Sequence, residues 1–482
     1  MNITIKDVLA VLPDGPEVCT VCISNGVITS VSATPDGFIA DKTILGSGKM
    51  LIPGFVNAHT HASMTIFRNC ADDLLFNDWL FGRIMPLEDK LTADDCYWGS
   101  KLAVMEMLSS GTTAFIDMYY FMDALTEVVK ESGIRAVLSR GLIGGADNHA
   151  AGEMRLREAL DAIDQWKSLK ASHKQCGDSG RVIDESLKSK LSDHMREVHA
   201  DSNEVNLKSK LSNHMQVPAE INGRSLDNLS FMLAPHAPYT CDEGFQREVA
   251  AEAKRHDLAI NTHLCESVAE IETIREKYGC SPIELFDRNG LLSDTTIAAH
   301  CVQVSDSDID ILAKRGVCVA TNPISNLKLA NGVAPIPKML KAGVKVALGT
   351  DGAASNNALN MFRELSVLTL IHKGINHDAL AINAREGFAI ATKNGAAAMG
   401  RSDIGEIVPG NVADLVILDL DRPNMQPVNN PVAALAYSAN GSEVETVIVG
   451  GNVLIENGEF LTIDAEKTVY EVSKICERIG TR

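Results

Sequence analysis

Two kinds of hydrophobic pattern alternate along this chain. Residues 1–52 read as short strands, and Asn25-Gly26 between Val21-Cys22-Ile23 and Val27-Ile28 is a hairpin signal, because a type I′ turn needs positive φ at both central positions. The far C-terminus reads the same way. Val412 to Leu420 is rich in β-formers, and Val447-Ile448-Val449-Gly450-Gly451-Asn452-Val453-Leu454-Ile455 looks like a second hairpin. Two β-rich ends predict that the termini meet in one small discontinuous β-sandwich domain, residues 1–53 with 402–482.

Between residues 54 and 401 apolar strand-like runs alternate with helix-compatible stretches, the text of parallel βα units. Strands are expected at 54–61, 112–118, 136–140, 230–236, 259–263, 296–300, 317–321 and 346–351. These eight units fit a (β/α)8 barrel of the TIM type, whose active site lies at the C-terminal ends of its strands. One stretch departs from the pattern: at about 171–228 a long segment separates the third helix from the fourth strand. Within it Leu187, Leu191 and Met195 recur at helical spacing, and the pattern returns at Leu207, Leu211 and Met215, which predicts an inserted pair of short amphipathic helices. Barrel topology assigns such a helix-to-strand insert to the face opposite the active site, as a surface for stability or a partner, or as an insert of no function.

Length and charge narrow the class. With 482 residues, 45% of them hydrophobic, the chain can bury a large core. A net charge of −19 has the wrong sign for binding a nucleic-acid backbone, which needs clustered Lys and Arg. The N-terminal Met1-Asn2-Ile3-Thr4-Ile5-Lys6-Asp7 lacks the pattern of a secretory signal, and no apolar run reaches membrane-spanning length. Eleven cysteines, scattered through apolar segments as at Cys265, Cys301 and Cys318, suit reduced thiols in a cytoplasmic protein. Cys19 and Cys22, the one Cys-x-x-Cys, read as strand residues.

The chemistry gathers at the strand ends. His59 and His61 end the first, His236 the fourth, His263 the fifth, His300 the sixth and Asp351 the eighth. On a strand, residues i and i+2 share a face, so His59 and His61 can turn two ring nitrogens toward one ion. A lone histidine is ordinarily structural, but this set at one end of successive barrel strands predicts a metal site. Three or four N/O ligands are the usual shell of catalytic zinc, and His59, His61, His263 and Asp351 supply them. The fourth strand carries no lysine that could be carbamylated to bridge two ions, which favours one metal. Glu266, three residues past His263, can face the same cavity and pass a proton to substrate; otherwise it is a first-turn residue favoured by the helix dipole.

Taken together, Pro53-Gly54-Phe55-Val56-Asn57-Ala58-His59-Thr60-His61, His263-x-x-Glu266, Ala298-Ala299-His300-Cys301 and Gly349-Thr350-Asp351-Gly352 resemble the amidohydrolase superfamily. Within it the chain is similar to the 5-methylthioadenosine/S-adenosylhomocysteine deaminases over nearly its whole length apart from the insert. Asp78-Trp79-Leu80-Phe81, Met85-Pro86-Leu87-Glu88-Asp89, Ser139-Arg140-Gly141-Leu142, Pro235-His236-Ala237-Pro238-Tyr239, Asn322-Pro323-x-Ser325-Asn326-Leu327-Lys328-Leu329 and Asp351-Gly352-Ala353-Ala354-Ser355-Asn356-Asn357 carry that likeness. The resemblance implies one divalent metal, zinc or alternatively iron(II), held by His59, His61, His263 and Asp351. It also implies that Glu266 protonates the purine N1, that His300 orients the attacking water or the developing tetrahedral oxygen, and that Asp351 relays the water's proton to departing ammonia. Glu88 would hold the ribose hydroxyls with His236 nearby, and Arg140 and Arg155 would face the carboxylate of a homocysteine tail, Arg157 being the alternative to Arg155. The expected partner is a small-molecule nucleoside, with no nucleic acid or membrane, and the expected assembly is a homo-oligomer. Two other readings stay open: a deaminase or dechlorinase of another nitrogen heterocycle such as guanine or a triazine, and a non-catalytic scaffold barrel.

Overall fold

The structure, a computed structural model, describes residues 1–145, 148–177 and 225–481. The duplicated Leu/Leu/Met segments lie outside the described residues. The chain divides into two compact units, Met1–Leu160 with Asn228–Arg482, and Asp161–Asp227. In the second, the described residues carry the latter part of helix His149–Gly177 and a turn at Ser225–Asn228, with Lys170 paired to Asp227 at 3.1 Å.

The first unit is built on two sheets. One contains eight parallel strands in sequential order: Phe55–Thr60, Thr112–Tyr119, Arg135–Leu142, Leu229–Pro235, Ile260–Leu264, Thr296–His300, Cys318–Thr321 and Lys345–Leu348. Nearly every strand residue is buried, as expected when helices cover one face of a sheet and its own interior the other. The ring closes between its eighth and first strands: the Asp351 amide donates to the His59 carbonyl at 2.9 Å, and the Thr350 amide to Asn57 Oδ1 at 2.9 Å. Closure therefore sets two of the expected ligands side by side. Gly349 makes it possible, since a Cβ there would lie 2.5 Å from Asn322 Oδ1 and 2.8 Å from the His59 nitrogen.

Both termini build the other sheet of nine strands, in which Lys49–Pro53 lies between Asn2–Leu12 and Leu415–Asp419. The hairpin at Asn25-Gly26 has positive φ at both positions, 51° and 83°, and bridges Val27 to Val412. The sheet buries one apolar core drawn from both ends of the chain, including Ile3, Ile5, Val21, Leu51, Leu415 and Ile448. A buried, two-pronged ion pair ties it to the barrel: Arg135 Nε and a terminal nitrogen donate to the Asp414 carboxylate at 2.8 and 3.1 Å. Two C-terminal helices, Pro431–Tyr437 and Ala465–Ile479, differ from the all-β expectation. In the second, Thr468, Val472, Ile475 and Ile479 are buried at helical spacing, with Ile475 and Ile479 in the cluster containing Ile66, Cys96 and Trp79.

Candidate active site

The C-terminal mouth of the barrel gathers four histidines and one aspartate. His59, His61 and His263 each place a ring nitrogen within 4.8 Å of the others, as do His59, His300 and the Asp351 carboxylate. His61 Nε2 lies 3.2 Å from His263 Nε2 and 3.2 Å from Asp351 Oδ1, and His59 Nε2 lies 3.6 Å from the same oxygen. The first and eighth strands end earlier than expected, at Thr60 and Leu348, so His61 and Asp351 sit on the turns that follow. Asp351 has φ of 62° and His300 of 71°, left-handed conformations uncommon outside glycine and concentrated at functional sites.

Surrounding groups aim these side chains. His61 Nδ1 donates to the Met118 carbonyl at 2.6 Å and His263 Nδ1 to the His236 carbonyl at 2.7 Å, which turns each Nε2 lone pair inward, the usual arrangement behind metal-binding imidazoles. Asp351 Oδ2 accepts from Ser325 Oγ at 2.6 Å and Ser355 Oγ at 2.8 Å, leaving Oδ1 to face the histidines. Burial would raise the Asp351 carboxyl, but His61, His300 and His59 hold it well below the usual carboxylate range. Both ring nitrogens of His59 are buried with no hydrogen-bond partner. Such an orphaned imidazole is costly in a packed interior, and together with the three-nitrogen, one-carboxylate donor set it fits a divalent metal ligand.

Glu266 stands beside this cluster. It is 6% exposed, and burial, reinforced by Asp351, pushes its carboxyl up despite His300, His61 and the hydrogen bond from Asn331 Nδ2 at 3.1 Å. Its Oε2 is 3.9 Å from His300 Nε2, while His300 Nδ1 donates to Asn326 Oδ1 at 2.8 Å. A carboxyl that favours its proton is suited to general-acid work. The loop that presents it is braced by Glu270, whose two oxygens accept the Cys265 and Glu266 amides, each at 2.8 Å.

From the cluster a line of polar groups leads toward the third strand. Tyr119 and Tyr120 donate to the two oxygens of Glu88 at 2.8 and 3.2 Å. Glu88 is carried by the short helix Met85–Glu88 after the π-helical turn Asp78–Ile84, which is anchored by Trp79 Nε1 on the Ala354 carbonyl at 3.3 Å. Beyond it a terminal Arg140 nitrogen donates to the Tyr120 carbonyl at 3.4 Å. Arg155 donates to the Ile143 carbonyl at 2.9 Å, and its charge acts on both Tyr120 and Arg140. Arg157 is exposed, so Arg155 is the arginine grouped with Arg140. His236 packs its ring 4.8 Å from that of His263, hydrogen bonds Thr240 Oγ1 at 3.0 Å, and is pulled down to about 4 by burial and the nearby His61. It is therefore a neutral ring at pH 7.

Sequence reasoning did not single out the bracing groups. Ser325, Asn326 and Ser355 lie in runs already marked by the family likeness, and Ser267-x-x-Glu270 has the spacing of a helix capping box. Asp117 is the harder case. It lies near the end of the second strand, accepts the Ala62 amide at 2.6 Å and Thr60 Oγ1 at 2.8 Å, and is pushed up to about 6 by burial; through these bonds it fixes the turn that carries His61.

The amidohydrolase family model matches residues 50–454. The chain belongs to the amidohydrolase family. It is 41% identical over 475 residues to the 5-methylthioadenosine/S-adenosylhomocysteine deaminase of Dictyoglomus thermophilum, covering 98% of each chain. A 5′-deoxyadenosine deaminase of Methanothermobacter thermautotrophicus is 39% identical over 96% of this chain and 97% of its own. Among solved structures, a zinc-bound adenosine deaminase from Xanthomonas campestris superposes with a TM-score of 0.83 at 30% identity, covering 100% of this chain and 99% of that one. Among the described residues no helix is long and apolar enough to cross a membrane.

Proposed function

We propose that this amidohydrolase removes the amino group of the adenine ring in S-adenosylhomocysteine and 5-methylthioadenosine, giving the hypoxanthine nucleoside and ammonia. The observation that carries the reading is the line from the histidine cluster through Glu88 to Arg140 and Arg155. Its order matches base, ribose and charged tail. The names of the relatives support the same reading.

His59, His61, His263 and Asp351 would hold one zinc ion, which when bound supplies a nucleophilic water at neutral pH. Glu266 delivers a proton to N1 of the purine, so that attack at C6 builds no anion on the ring. His300, fixed by Asn326, hydrogen bonds the oxygen that develops at C6. The Asp351 carboxylate takes the water's proton and passes it to the leaving amine. Glu88 accepts hydrogen bonds from the ribose hydroxyls, with His236 as a neutral neighbour, and the guanidinium groups of Arg140 and Arg155 bind a tail carboxylate. Deaminases and dechlorinases of other heterocycles share the metal cradle, so a substrate panel separates the readings. S-adenosylhomocysteine, 5-methylthioadenosine and adenosine should be turned over in preference to guanine and chloro-triazines; activity confined to a free base or a triazine would overturn the proposal.

A further inference from the structure

The two arginines do not stand alone. A terminal nitrogen of Arg140 lies 2.8 Å from Glu158 Oε2, and the Glu158 side chain is 48% exposed against 24% for Arg140. The other terminal nitrogen of Arg140 donates to the Tyr120 carbonyl at 3.4 Å and Nε is buried without a partner, so the guanidinium is engaged by Glu158 on one side and by the protein backbone on the other. Arg155 and Glu158 are three residues apart on one helix, a spacing that puts them on a common face. The third strand and the helix after it therefore present two positive groups and one negative group together, beyond the ribose-side Glu88.

An amino-acid tail carries two charges on neighbouring atoms, a carboxylate and an α-ammonium. A pocket of arginines alone would attract the first and repel the second. We infer that Glu158 is a specificity-determining residue whose carboxylate, held in place by Arg140, receives the α-ammonium while the guanidinium pair takes the carboxylate. The inference rests on the adenine-nucleoside reading above and extends it to the second charge of the tail. A half-exposed ion pair costs little to open, so Glu158 can exchange part of its contact with Arg140 for the incoming ammonium. A methylthio tail carries neither charge and gains nothing from either group.

Three substrates test this in wild type, Glu158→Gln and Arg155→Ala: S-adenosylhomocysteine, its des-amino analogue 5′-S-(3-carboxypropyl)-5′-thioadenosine, and 5-methylthioadenosine. In Glu158→Gln, KM for S-adenosylhomocysteine should rise about three- to tenfold with kcat unchanged, the scale of a partly exposed charge-assisted hydrogen bond. KM for the des-amino analogue should stay level or fall, and 5-methylthioadenosine turnover, which also reports correct folding, should not change. Equal shifts for the two carboxylate substrates, or a lower KM for both, would overturn the inference, because Glu158 would then be a bystander or a competitor for the arginines. Arg155→Ala tests the underlying reading separately. It should raise KM for both carboxylate substrates and spare 5-methylthioadenosine; parallel effects on all three would remove the tail pocket itself, whatever Glu158 does.

Discussion

Replacing Glu266 by glutamine isolates the proton transfer from everything else in the site. Glutamine has nearly the same volume, and its amide oxygen can keep the hydrogen bond that Asn331 makes to Oε1 at 3.1 Å. The residue lies outside the two groups of ligand atoms that cluster within 4.8 Å, so metal content should be unaffected. What disappears is the carboxyl proton, which burial favours in the native protein. A positioned general acid contributes about 10²- to 10⁴-fold, so kcat should fall by that factor, a barrier increase of about 3–5 kcal/mol. The assay is the absorbance change from adenine to hypoxanthine at saturating S-adenosylhomocysteine, with elemental analysis of the same preparation. A kcat within tenfold of wild type, or metal lost in step with activity, would refute the assignment, because Glu266 would then be a spectator or a ligand.

Other perturbations follow from the surrounding geometry. Ser325→Ala removes one of two hydroxyls on Asp351 Oδ2 and should weaken metal affinity about 10- to 100-fold in a chelator competition, the usual cost of losing a supporting hydrogen bond; unchanged affinity would show that Ser355 suffices. Glu88→Gln should raise KM for every nucleoside about tenfold or more and leave any activity on free adenine alone; equal losses on both would detach Glu88 from the ribose. Glu364 is fully buried, accepts the Asn356 side chain and the Ile324 amide, and is pushed up from 4.5 to about 8 by burial. The folded protein therefore holds a proton that the unfolded chain has released between these values. This group makes stability decline as pH rises from about 4.5 toward 8 and level off above, and Glu364→Gln should flatten that decline in a series of thermal melts; an identical slope in the variant would contradict it.

Much of this arrangement was legible in the sequence because two unrelated constraints coincide there. Short continuous apolar runs mark the barrel strands, which are buried on both faces, and ligand-type residues recur where those runs stop, so the eight strands and the residues at their ends could be read together. Exact exits were less visible. Asp351 lies three residues beyond Leu348, turned by a left-handed backbone at 62°, and a non-glycine residue gives no sign that it adopts such a conformation. The bracing groups were hidden for a different reason: Asp117 is the one charged residue of a buried strand, and composition cannot tell an acid that holds a turn from one that faces water. The C-terminal helix shows the opposite failure. Thr468, Val472, Ile475 and Ile479 have helical spacing, but they follow a strong hairpin signal that draws the whole terminus into a β reading.

The account depends on one cation held by His59, His61, His263 and Asp351. The most direct measurement is elemental analysis of the purified protein alongside deaminase activity, before and after chelation and again after zinc is restored. About one equivalent of a divalent transition metal per chain is expected, with activity lost on chelation and recovered on reloading, and with neither metal nor activity recovered in His59→Ala. Full adenine deamination by metal-free protein would contradict the account.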